Sequence, residues 1–88
     1  MKVNVRTTII LPGMSKHFAS AIISALEPDN TKAPRNIYIE NVVGEDSLRI
    51  VIVFQGESKE LLSLRNTIDD LLEHLNMTLR VLESVKDN

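Results

Sequence analysis

The groups best suited to chemistry in this chain are acidic and lie close together, at Asp69, Asp70, Glu73 and His74. Carboxylates act as an acid–base pair, or hold a hard cation, only when they converge on one point. Neighbouring positions on a helix diverge by about 100°, so Asp69 and Asp70 do not converge. Asp69 and Glu73 do share a face, and that pair reads as a solvated helix flank rather than a cation site. His74 follows Asp70 by one turn and reads as a surface ion pair rather than a general base. His17, beside Lys16 at a helix start, has no carboxylate within helical reach and reads as surface. Arg65 and Asp69 are again one turn apart, with Asn76 and Arg80 further along that flank. They fit an ordinary intrahelical pair or the polar rim of an apolar contact with a partner helix.

The remaining chemistry is excluded more firmly. There are no cysteines, so disulfides, iron–sulfur clusters, thiolate zinc sites and a catalytic thiol are ruled out. Two histidines alone cannot complete a tetrahedral zinc site. Gly13, Gly44 and Gly56 stand apart, so no glycine-rich phosphate loop can be written, nor the G-x-x-G clamp of KH domains. No G-x-S-x-G elbow is present. The chain is expected not to be an enzyme, and to need neither cofactor nor metal.

The elements that would position these residues follow from periodicity. Residues 2–11 alternate, with Val3, Val5, Thr7, Ile9 and Leu11 on one face, which predicts a half-buried strand ended by Pro12-Gly13. Ser15 is a good N-cap for a helix in which Phe18, Ala21, Ile22 and Ala25 recur at three- and four-residue spacing. Pro28 is expected to stop that helix near Glu27, leaving 28–34 as a loop. A second strand runs from Ile37 to about Val43. Gly44 to Ser47 form a four-residue turn, and a third strand covers Leu48 to Gln55, giving an antiparallel hairpin. Gly56-Glu57-Ser58 is expected to break the strand, with Ser58 capping a final helix of about 26 residues. Leu61, Leu64, Ile68, Leu71, Leu75, Leu82 and Val85 form its apolar stripe, which Leu72 and Leu79 widen. Leu62 and Met77 fall off it. At about 39 Å, that helix outruns the ~25 Å of an eight-residue strand, so part of the stripe should overhang its own sheet.

The expected fold is α+β, a two-layer β-α-β-β-α domain over residues 1–88 with a three-stranded antiparallel sheet and two helices on one face. The other face carries Ile10, Tyr38, Val42, Val51 and Val53 among Lys2, Arg6, Glu40 and Arg49. It fits either a symmetric dimer contact or an ordinary wet face. Eighty-eight residues bury a small core, and without disulfides a partner subunit is the natural staple. A net charge of −2 argues against binding nucleic acid through bulk positive charge. The start lacks the apolar core of a signal peptide, and no run approaches the ~20 apolar residues of a membrane span, so a cytoplasmic setting is expected.

Leu11-Pro12 at the end of the first strand, Ala25-Leu26-Glu27-Pro28-Asp29 closing the first helix, and Ser63-Leu64-Arg65 opening the last one carry a resemblance. Together they make the chain similar to the small Pcc-type subunit of the KEOPS complex, of archaeal type, with the L-antigen family among its eukaryotic relatives. The likeness covers nearly the whole chain. Family members usually carry an asparagine one turn after the Leu-Arg arginine, often followed by serine. Here Asp69 and Asp70 stand instead, which leaves open any polar contact from that turn and fits the divergent second paralogue of some archaeal complexes.

The resemblance implies a non-catalytic, dimerising subunit of the machinery that makes threonylcarbamoyladenosine in tRNA. It implies docking of the helices onto the Kae/TsaD-like threonylcarbamoyltransferase subunit, bridging of complexes, and indirect or weak engagement of tRNA. Dimer partners would be itself or a paralogue. By that analogy the transferase contact is placed on Ile22, Ile23, Leu26, Leu62, Arg65, Asp69, Leu72, Asn76 and Leu79. The dimer contact is placed on Tyr38, Val42, Val51 and Val53. The alternative is a stand-alone KH-like RNA-binding module; Lys2, Arg6, Arg35 and Arg49 are instead candidates for a modest tRNA contact inside a larger complex.

Overall fold

The structure, a computed structural model, describes residues 1–86 and, within them, all side chains but those of Asp29, Thr31, Val85 and Lys86. Val85, the last residue of the expected stripe, therefore lies outside the described side chains. Strand β1 spans Lys2–Pro12, helix α1 Lys16–Thr31, β2 Ile37–Val43 and β3 Ser47–Glu57; a short 3-10 turn, Ser58–Glu60, leads into helix α2, Leu61–Lys86. The three strands form one sheet in the order β1-β3-β2, antiparallel throughout. This is the α+β order expected from the sequence, with the most apolar strand in the centre.

Alternation decides which strand faces pack. Leu48, Ile50, Ile52 and Phe54 of β3 are each fully buried, beneath Ala19, Ile22 and Leu26 of α1 and Leu64, Leu71 and Leu75 of α2. Register sets Val5 and Ile37 on either side of Phe54, and Ile9 and Asn41 on either side of Ile50. The helices lie chiefly over β2 and β3. As a result Val3, Val5, Ile9 and Leu11 of β1 are only partly buried, although they point to the helix side.

The boundaries differ from expectation in four places. Helix α1 passes through Pro28 and ends at Thr31, where the Lys32 amide donates to the Pro28 carbonyl at 3.2 Å. Proline lacks only its own amide and leaves its carbonyl able to accept, so one more turn forms beyond it. Strand β3 does not break at Gly56; it runs on to Glu57, with Val3 opposite Gly56 and Lys2 opposite Glu57. Strand β3 also begins one residue earlier than expected, so the hairpin turn is Gly44 to Asp46, closed by the Gly44 amide on the Ser47 carbonyl at 2.8 Å.

The fourth difference is the cap of the last helix. Glu57, not Ser58, is an N-cap here, that of the 3-10 turn leading into α2, and its amide donates to Glu60 Oε1 at 2.8 Å in a reciprocal capping box. Glu60 Oε2 accepts from Asn36 Nδ2 at 3.1 Å, tying the start of β2 to the same junction. Gly56 suits this close junction, because a Cβ there would meet Asn36 Nδ2, Glu60 Oε1 and Phe54 Cζ at 3.0 Å and push them back.

The expected overhang shrinks for the same reason. Strands β1 and β3 have 11 residues each, not eight. At roughly 3.3 Å per residue they span about 36 Å, close to the ~39 Å of α2. Leu79 and Glu83 already lie against Gly13, Met14, Ser15 and Phe18 at the far end of the domain.

Candidate interaction surfaces

Among the described residues no group of three or more His, Cys, Asp or Glu is placed to hold a metal ion. No helix among them is long and apolar enough to cross a membrane. Two stretches of the described surface are apolar.

The first lies between the helices. Ser15 Oγ accepts from the Phe18 amide at 3.2 Å and fixes where α1 starts, hence which of its faces meets α2. A shallow hollow between the helices is lined by Ala21 and Ala25 of α1 and by Met77, Thr78, Val81 and Leu82 of α2. It continues past Ala25 and Pro28 toward His74 and Lys32. Met77 and Val81 are 56% and 62% exposed, high for side chains of their type beside a core. Alanines one turn apart keep the α1 wall low, so the hollow is open along its length.

The sequence-predicted contact set is divided by this arrangement. Ile22 and Leu26 are 0% and 1% exposed, so they belong to the core and present nothing to a partner. At 100° per residue, Leu62, Arg65, Asp69, Leu72 and Asn76 form one strip on α2. That strip lies on the flank turned away from Met77 and Val81. Leu62 and Leu72 on it are 63% and 43% exposed. Arg65 Nε sits 3.9 Å from Asp69 Oδ2, both groups mostly in solvent, so this pair adds little. Ile23 is half-buried on the side of α1 away from the hollow, and half-buried Leu79 packs beside Phe18. The hollow itself was missed. Its signal was present in Ala21 and Ala25, one turn apart, and in Met77 and Val81, also one turn apart and off the main stripe.

The second surface is the sheet face with no helix over it. Its cross-strand rows are Arg6, Val53, Tyr38; then Thr8, Val51, Glu40; then Ile10, Arg49, Val42. Tyr38 is 62% and Ile10 60% exposed, whereas Val42 and Val53 are half-buried. Val51 is 6% exposed already, so it has little left to offer a partner. Arg35, Asn36, Tyr38, Val53 and Gln55 enclose a wide depression at one end of this face.

No individually curated protein matches the chain. A family model does: the one described as transcription factor Pcc1 matches residues 6–83, from β1 to near the end of α2. The match covers nearly the whole chain, and the chain belongs to the Pcc1 family, the small-subunit family of the KEOPS complex.

Proposed function

We propose that this protein is a non-catalytic assembly subunit of a KEOPS-type complex that supports threonylcarbamoyladenosine synthesis in tRNA. Its helical side binds the Kae/TsaD-like threonylcarbamoyltransferase subunit. The observation that carries the reading is the open apolar hollow between α1 and α2, with Met77 and Val81 exposed beside a closed core. An apolar helix of a partner laid along it would cover both side chains, the helix-in-groove mode of recognition. The strip of Leu62, Arg65, Asp69, Leu72 and Asn76 widens that contact over the ridge of α2, with Ile23 and Leu79 at its margins.

Self-pairing, or pairing with a similar small chain, uses the sheet side, where Tyr38, Val42 and Val53 face away from the helices. Pairing lets one subunit join two copies of the complex. Engagement of tRNA is then indirect or weak, since Lys2, Arg6, Arg35 and Arg49 belong to a chain of net charge −2. Direct readout of duplex DNA lacks support: the basic residues of α2 alternate with Asp69, Asp70 and Glu73 rather than forming a basic face. The setting of such a complex is the cytoplasm.

The test is titration calorimetry of this chain against a KEOPS transferase subunit. Saturable binding that Val81→Glu abolishes, with the circular dichroism spectrum unchanged, supports the reading. Absence of binding, together with micromolar, salt-sensitive RNA affinity of the chain alone, favours a KH-like module instead.

A further inference from the structure

The chain has three methionines, and the fold treats them differently. Met14 is 7% exposed and packs in the core, where its amide donates to the Asp46 carbonyl at 3.0 Å. Met1 is open to solvent, with its amino group 2.9 Å from Glu57 Oε2 just before α2. Met77 is 56% exposed and stands about 24 Å further along that helix, in the hollow between α1 and α2.

Its place in that hollow is central. One half of the hollow is apolar, with Ala21, Val81 and Leu82, and the other runs toward Pro28, Lys32 and His74. Ala25, Met77 and Thr78 border both halves, and of these three only Met77 has a long, flexible side chain. With alanine at 21 and 25 on the α1 wall, more than half of Met77 stays open to solvent. A thioether is soft and apolar, so it can mould itself to a helix laid over it. Among the residues of the apolar half it is also the one that a two-electron oxidant turns into a polar group.

We infer that Met77 is an oxidative modification site: peroxide-class oxidants convert it to the sulfoxide, which closes the hollow to an apolar partner until the sulfoxide is reduced. This rests on the reading that the transferase subunit docks in the hollow. In the step, a sulfur lone pair attacks one peroxide oxygen, and the O–O bond breaks as the S–O bond forms. The proton of the transferred oxygen passes to the departing hydroxide and gives water. Sulfur loses two electrons and peroxide gains them. The sulfoxide oxygen then holds hydrogen bonds from water, which a partner laid over Met77 has to strip away. Ala21, Ala25, Val81 and Leu82 offer no side-chain donor in exchange. Burial shields Met14 from the same oxidant. A docked partner shields Met77 in turn, so the modification acts on the unassembled chain.

The experiment treats the folded chain with hydrogen peroxide, removes the oxidant, and maps sulfoxide at each methionine by mass spectrometry. Met77 is expected to convert at least about tenfold faster than Met14, and to be protected when the transferase subunit is present. Titration calorimetry of the oxidised chain against that subunit is expected to show binding weakened at least about tenfold, with the circular dichroism spectrum unchanged. Treatment with the methionine sulfoxide reductases for both epimers is expected to restore it. Met77→Leu keeps volume and apolarity, so it is expected to bind like the wild type and to ignore peroxide. Loss of binding on oxidation that persists in Met77→Leu would overturn the inference, since Met1 or Met14 would then carry the effect. Equal binding by the oxidised and reduced wild type would overturn it too and leave docking standing. A reduced wild-type chain that does not bind the transferase would overturn the docking reading, and the inference with it.

Discussion

Glu60 shows how one side chain can hold three elements in register. One carboxylate oxygen accepts from the Glu57 amide and the other from Asn36 Nδ2, so the end of β3, the start of β2 and the first turn before α2 meet on it. Glu60→Ala removes both bonds and leaves the capping amide without its side-chain partner. The expected loss is about 1–2 kcal/mol, read as a lower urea midpoint at unchanged slope. An unchanged midpoint would mean that water replaces the carboxylate at no cost. The sequence pointed to Ser58 as the cap of the last helix. The actual cap is one residue earlier because β3 runs through Gly56, where the absence of a Cβ lets Asn36, Glu60 and Phe54 close in.

At the level of elements, the turns and the helix faces matter most. Gly13 joins β1 to α1 with φ at +68°, and nothing lies within 4 Å of where its Cβ would be. Gly13→Ala therefore tests backbone strain alone, with an expected destabilisation of about 1 kcal/mol by thermal or chemical unfolding. On α2, Val81→Glu and Leu72→Glu separate two flanks of one helix. Both should fold, since both side chains are exposed. Val81→Glu is expected to abolish transferase binding, and Leu72→Glu to weaken it. The reverse ranking, in a pull-down with each variant, would move the contact to the outer strip.

Strands, helices and their order were legible in the sequence, because alternation and the three–four repeat report directly on burial. The pairing of Ile22 and Leu26 with a partner was not. A one-sided apolar stripe looks the same whether its cover is the chain's own sheet or another protein. Only three-dimensional packing shows that Ile22 and Leu26 are already covered while Met77 and Val81 are not. The span of Pro28 was lost for a similar reason. The bias before proline is local, and the contacts that hold one more turn are not.

The whole molecule is elongated, 51 × 23 × 17 Å, with helices on one side and a sheet whose edge strand is free. A body of this shape has a small core for its surface, so assembly with another chain would add burial that it lacks. Its helical side and its open sheet face point in different directions, so the proposed partner on the helices would not compete with a second copy on the sheet.

The central claim, that this chain works by joining others, is met most directly by size-exclusion chromatography with light scattering, on the protein alone and mixed with a KEOPS transferase subunit. The account predicts a dimer alone and, in the mixture, a joint peak with the mass of two transferases on one small-subunit dimer. A persistent monomer that elutes apart from the transferase would contradict it.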